Sequence, residues 1–240
     1  MRRIIRILAR RLTVLNLQQD IPMNTLTSAP MAALIERLYT QADAATSPII
    51  NTVTHEERDR LMRSKTDYLA LYGMLKDLWL PVSRDTGTLL YMLARSSKAQ
   101  AIVEFGTSFG LSTLHLAAAL RDNGGGTLIS SEFEPSKIAL ARQHLEQGGV
   151  SDLVEIRQGD ALVTLATGLP DSVDLLLLDG AKALYGDVLN LVESRLKPGA
   201  LIIADNTDYC PDYLARVRSP ANGYLSVPIG DDVELSVRLG

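Results

Sequence analysis

From residue 101 onward, short apolar runs alternate with stretches whose apolar positions recur at helical spacing. AIVEFG, TLISSE, LVEIRQGD, VDLLLLDG and ALIIADN read as five successive strands. VDLLLLDG is apolar on both faces, as a central parallel strand should be. LSTLHLAAALRD, PSKIALARQHLEQGGV and YGDVLNLVESRLKPG lie between them as helices, ending at NGGG, Gly148-Gly149 and Pro-Gly stops. GYLSVPIGDDVELSVRLG reads as two closing strands around GDD. This order predicts an α/β fold with a doubly wound, mostly parallel sheet and an antiparallel edge strand.

Residues 27–98 carry no strand pattern. TSAPMAALIERLY reads as a helix with Ser28 as cap and Pro30 near its first turn. THEERDRLMRSKTDYLALYGMLKDLWL opens on a capping box of Thr54 and Glu57. PVSRDTG breaks the pattern, and TGTLLYMLARSSK resumes it as a short helix. The expected organisation is a basic N-terminal extension over 1–22, a helical cap over 23–98 and a catalytic α/β domain over 99–240.

Composition changes this picture little. The 240 residues are 46% hydrophobic and 22% charged, with a net charge of −4. Such a chain is an ordinary globular protein and does not suggest a nucleic-acid partner. A single cysteine excludes an internal disulfide framework and a cysteine-rich zinc site. No apolar run is long enough for a membrane span. The first 22 residues stand apart, with five arginines and one aspartate. They read as a tail before a functional start at Met23, with disorder as one reading, or as a targeting or surface-binding helix.

The string GTSFG, 106–110, raises the first chemical question. It satisfies G-x-S-x-G, the nucleophile elbow of serine hydrolases, and it equally satisfies a glycine loop at a strand end. A hydrolase of this fold needs its histidine late in the chain. The histidines here are His55, His115 and His144, all ahead of the last strands. The triad order therefore fails. A dinucleotide fingerprint fails too, because Ser108 stands where a glycine must admit pyrophosphate. A nucleoside ligand without phosphates remains.

VEFGTSFGLST followed by LISSEFEP resembles the first two binding motifs of class I S-adenosylmethionine (SAM) methyltransferases. The resemblance implies a Rossmann-like methyltransferase sheet with SAM as methyl donor. Glu132, ending strand two, then accepts both ribose hydroxyls. Gly106 and Gly110 keep the loop open, with Thr107 and Ser108 part of the cradle. Ser112 at the helix start holds the carboxylate end of SAM. Glu104 accepts from its amino group, directly or through water, and Asp160 in QGDA receives the adenine amine.

Strand four ends at Asp179 and strand five at Asp205-Asn206. If those strands are neighbours, hard oxygen donors converge at the carboxyl edge of the sheet, suited to Mg²⁺ or a similar divalent cation rather than zinc. LLLLDGAK and ALIIADN are similar to the metal-binding segments of cation-dependent O-methyltransferases, the group with catechol and caffeoyl-CoA O-methyltransferases. By that resemblance Asp179, Asp205 and Asn206 are metal ligands, Asp179 also borders SAM, and Lys182 is the catalytic lysine. PVSRDTG resembles the segment before strand one, where Val82 contacts SAM, and PDYLARVR is similar to the catechol enzyme after its metal asparagine. Two departures stand out. Gly180-Ala181 follows Asp179 where the family carries a bulky or charged neighbour. Ser226 stands where the catechol enzyme has a late glutamate, which leaves the acceptor open.

The implied activity is SAM-dependent methyl transfer to a hydroxyl, phenolic by the resemblance, of a small molecule, with cytoplasmic localisation. Lys182 takes the acceptor's proton if the cation and partial burial lower its pKa. A metal-independent SAM methyltransferase and a non-catalytic SAM-binding protein remain as alternatives, and a homodimer is left open.

Overall fold

The computed structural model describes residues 24–45 and 54–240. The expectations placed on the arginine-rich residues 1–22 lie outside the described residues. The strands are β1 Ala101–Phe105, β2 Thr127–Glu132, β3 Val154–Gln158, β4 Val173–Leu178, β5 Leu196–Ala204, β6 Tyr224–Ile229 and β7 Val233–Arg238. They form one seven-stranded sheet in the order β3-β2-β1-β4-β5-β7-β6. β1 to β5 pair in parallel, and the β6–β7 hairpin closes the edge with β7 antiparallel to β5. The chain winds outward from β1 to β3 and then returns to β4 on the other side of β1. Such a switch opens a crevice at the carboxyl ends of the central strands.

Successive strand residues face opposite sides, and each side has its own core. Val103, Leu176, Leu178 and Ile202 pack under α8 (Tyr185–Val192) and α9 (Pro211–Val217). Ile102, Leu175, Leu177 and Ile203 pack under α4 (Arg84–Ser96) and α5 (Leu111–Asp122). The other helices among the described residues are α1 Met31–Ala44, α2 His55–Met62, α3 Tyr68–Met74, α6 Pro135–Gln147 and the short α7 Ala161–Thr164. α5 is buried from Leu111 through Leu120. α1 covers it with Met31, Leu34 and Leu38, and α4 with Leu90 and Ala94. A helix enclosed in this way has no solvated polar face, and apart from His115 LSTLHLAAAL accordingly has small and apolar residues all round.

The local expectations need four adjustments. Pro30 rather than Ser28 precedes α1, and no side chain caps that helix. The stretch from Thr54 is not continuous: Thr54 caps α2 by accepting from the Glu57 N–H, but the helix stops at Met62. Ser64 then accepts from the Asp67 N–H in a turn before α3. PVSRDTG does not break α4 but starts it, because Ser83 accepts from the Thr86 N–H. Pro198-Gly199 stops no helix; both residues lie within β5, beside an irregularity in its register against β4. Proline is tolerated at such a position because the regular ladder is already interrupted.

At the opposite end of the sheet from the crevice, Asp174 ties β1 to β4. Its Oδ2 accepts the N–H groups of Gln100 at 2.6 Å and Ala101 at 2.8 Å, and Lys197 pairs with Oδ1. Asp174→Ala removes a charged acceptor from two backbone donors. It is expected to lower unfolding free energy by about 2 kcal/mol in urea titrations; a change under about 0.5 kcal/mol would show that water replaces the carboxylate without loss.

Candidate active site

The turn after β1 is shaped by close approach. Gly106 has φ +105°, and a Cβ built there would lie 2.5 Å from the Asp179 carbonyl oxygen. The Asp179 N–H donates to Phe105 O at 2.8 Å, so backbone pairing between β1 and β4 continues into both turns. Ser108 also has positive φ, +47°. Its N–H donates to Glu132 Oε2 at 2.8 Å, while the Phe133 and Glu134 N–H groups donate to Oε1 at 3.0 and 3.1 Å. Glu132 is thereby fixed at the end of β2, facing the glycine loop.

Ser108 Oγ is buried and has no hydrogen-bond partner. His115 Nδ1 lies 2.8 Å from Leu111 O and His144 Nδ1 lies 2.8 Å from Phe109 O, both rings being buried. The two imidazoles thus serve local backbone carbonyls, and the elbow reading of GTSFG ends there. A buried hydroxyl left without a partner at the rim of a cavity is what a cradle for a polar ligand presents.

Glu104 is fully buried beneath the loop. Ser112 Oγ donates to Oε1 at 2.6 Å; Thr113 Oγ1 and Ser130 Oγ donate to Oε2 at 2.7 and 2.6 Å. Burial outweighs these donors and pushes the carboxyl from its ordinary 4.5 up to about 7. Val82, Thr107 and Ser112 line a narrow cleft over it with Trp79 and Phe109. Thr107 turns its hydroxyl inward to Ser130, and Glu104 meets the cleft through Ser112.

The turns after β4 and β5 carry a second polar group. Lys182 is buried, and its Nζ donates to Asp179 Oδ1 and to the Tyr185 hydroxyl, each at 2.9 Å. Tyr185 in turn donates to Asp205 O at 2.7 Å. Burial favours the neutral amine of Lys182, but Asp179, Tyr72 and Asp205 together hold it protonated, with its pKa raised. The expected lowering of Lys182 is therefore absent while nothing else neutralises those acids. Asp205 is pushed up to about 7, first by burial and then by Asp179. Asn206 sits in the left-handed region at φ +53°, with Nδ2 donating to Asp232 Oδ2 at 3.2 Å. Among the described residues, no group of three His, Cys, Asp or Glu side chains is arranged to hold a metal ion. The expected set is instead two carboxylates and an amide.

Both groups open onto one cavity of about 420 Å³. Of the predicted residues, its wall includes Gly106, Ser108, Glu132, Asp160, Asp179, Lys182, Asp205 and Asn206. Its roof comes from α2 and α3, with Met62, Leu71 and Leu75 on the apolar side. Tyr68 donates to Asp160 Oδ2 at 3.0 Å, while Asp160 Oδ1 caps α7 at the Leu162 N–H, 2.9 Å away. Tyr72 donates to Gly180 O at 3.3 Å. Sequence reasoning passed over Tyr68, Tyr72, Tyr185 and Asp232. The spacing of Tyr68 and Tyr72, one helical turn apart, was the available signal for a shared face. Ser226 lies elsewhere, donating to Glu234 Oε1 at 2.6 Å.

A family profile described as a methyltransferase domain matches residues 103–207. A catechol O-methyltransferase of Niastella koreensis is 32% identical over 164 residues, spanning 66% of this chain and 73% of that protein. Caffeoyl-CoA O-methyltransferase 1 of Eucalyptus globulus is 27% identical over 191 residues, 77% of this chain and 75% of its own. An O-methyltransferase of Streptomyces achromogenes, solved with SAM, superposes with a TM-score of 0.58 at 26% identity, covering 76% of this chain and 94% of that one.

Glu104 supplies a test of the site's electrostatics. Between pH 4.5 and about 7 the unfolded chain has released this proton while the folded protein keeps it. The folded state therefore binds more protons, and this group makes stability fall as pH rises through that window. Glu104→Gln is expected to flatten that part of the pH dependence. Urea unfolding at pH 5 and pH 7.5 measures it, and identical slopes for variant and native chain would count against a protonated Glu104.

Proposed function

The chain belongs to the class I SAM-dependent O-methyltransferases, and from that premise we propose that it methylates a phenolic hydroxyl of a small molecule with the help of a divalent cation. The observation that carries this reading is the single cavity lined at once by Gly106, Ser108 and Glu132 and by Asp179, Lys182, Asp205 and Asn206. A methyl donor held by the first group faces an acceptor held by the second. SAM suits the glycine end because the buried Ser108 Oγ has no hydrogen-bond partner and lines the cavity together with Gly106 and Glu132. A dication suits the other end because the Asp179 and Asp205 carboxylates crowd together and, among the described residues, the ion pair there is that of Lys182 with Asp179.

In this assignment Glu132 takes the ribose hydroxyls, Ser112 and Glu104 the methionine end, Asp160 the adenine amine and Val82 the adjoining wall. Asp179, Asp205 and Asn206 hold the cation, which stabilises the phenolate form of the acceptor at neutral pH. The methyl carbon leaves sulfur as it bonds to oxygen, so the sulfonium becomes a neutral thioether and the hydroxyl proton must depart. Lys182, within reach of Asp179, is the group that accepts it. Neutralising Asp179 and Asp205 removes the charges that hold Lys182 protonated and leaves its burial to favour the free amine. Enclosing donor and acceptor together supplies much of the rate.

Asp205→Ala is expected to abolish turnover on a vicinal-diol phenol while keeping S-adenosylhomocysteine affinity within a few fold, by calorimetry. Full activity in excess chelator, with Asp205→Ala as active as the native chain, would sink the metal role and leave a metal-independent methyltransferase. Lys182→Ala should lose most rate near neutrality and regain part of it as pH approaches the phenol's own pKa of about 10. A uniform loss across pH would remove Lys182 from proton transfer.

A further inference from the structure

Lys137 is the third residue of α6, the helix that follows Glu132. Its side chain is only 4% exposed, although lysine is almost never fully buried without a partner. Its ammonium makes no hydrogen bond or ion pair with any described residue; it rests 5.3 Å from the centroid of the Phe109 ring. Phe109 is itself stacked on Trp79, with centroids 4.3 Å apart, so the platform under Lys137 is rigid. The residue lines the large cavity beside Ser108, Glu132, Phe133 and Glu134. A lysine that only covered apolar surface would carry its head out to water. This one stops inside the cavity.

The chemistry beside it narrows what it meets. Glu132 and Glu134 act on its charge without closing an ion pair. An anionic ligand there would face the Glu132 carboxylate, which repels it. A neutral hydroxyl suits both neighbours, because it donates to a carboxylate and accepts from an ammonium. We propose that Lys137 reads the ribose of the cofactor, donating to an oxygen of the vicinal diol whose protons go to Glu132. This rests on the proposed SAM site and adds a recognition residue to it. Its ligand class is a nucleoside with an intact ribose diol.

Calorimetry of the full chain tests it with S-adenosylhomocysteine and its 2′-deoxy and 3′-deoxy analogues. Lys137→Met should weaken S-adenosylhomocysteine roughly tenfold, the scale of one hydrogen bond to a charged group. It should weaken far less the analogue that lacks the hydroxyl Lys137 contacts. Lys137→Arg, which keeps the charge and donors, should restore most of the affinity, and it stands in with Lys137→Gln if the methionine variant does not fold. Unchanged affinity in Lys137→Met, or an equal loss for all three ligands, overturns the proposal by making the lysine structural. Failure of the native chain to bind S-adenosylhomocysteine would instead overturn the SAM site itself, which separates the two readings.

Discussion

The contact between Gly106 and Asp179 governs the geometry of the whole crevice. β1 and β4 run side by side in parallel, and their exit turns touch so closely that a Cβ at Gly106 would lie 2.8 Å from the Gly180 nitrogen as well as against the Asp179 carbonyl. The glycine loop after β1 and the turn that carries Asp179 are therefore one packed unit. Gly180 takes part from the other side, since a Cβ there would meet the Phe105 ring at 2.4 Å. Its place after Asp179, a departure from the family pattern, follows from an aromatic residue at the end of β1. A larger residue at either glycine would push the two turns apart and with them Ser108 and Asp179.

Strand order then distributes charge along the edge. Glu132 ends β2, and Gly106, Asp179 and Asp205 directly follow β1, β4 and β5, adjacent strands in that sequence. Burial first and the nearby Asp179 carboxylate after it push Asp205, just past β5, and Glu104, within β1, up to about 7 from the usual acid range. Such an edge is short of positive charge. The sulfonium of a methyl donor, the amino group of its methionine part and a dication are each cations, so the proposed occupants suit the field that the sheet already produces.

How much of this was legible in the sequence depended on whether a feature is local. The strands from Ala101 onward and the helices between them show in the hydrophobic period, and the topology that brings Asp179 and Asp205 into neighbouring turns follows from βαβ winding. Glu132 and the glycine loop were readable because both lie inside one βαβ unit. Lys137 was not, because a lysine at a helix start looks solvated until Phe109 and Trp79 are seen beneath it. Asp232 was missed because it comes from the β6–β7 turn, and its bond to Asn206 exists only once the hairpin folds against β5. Ser83 was overlooked because Arg84 and Asp85 interrupt the apolar pattern on the exposed first turn of α4, leaving only the capping hydroxyl as a signal.

The roof follows a different rule from the floor. The floor is backbone held by a continuous ladder, and its polar groups have few places to go. α2 and α3 are short helices whose inner surface is mostly apolar, fastened by Tyr68 to Asp160 at one end of the cavity and by Tyr72 to Gly180 at the other. Short helices draw their stability from packing rather than propensity, so these contacts and the apolar wall of Met62, Leu71 and Leu75 carry much of the roof's placement. Changes in the volume of those residues alter the space over Asp179 without touching the Gly106 contact. Under the proposed assignment the sheet edge sets the donor and cation sites while these helices shape the acceptor's space, and Tyr68 at Asp160 is where the two meet.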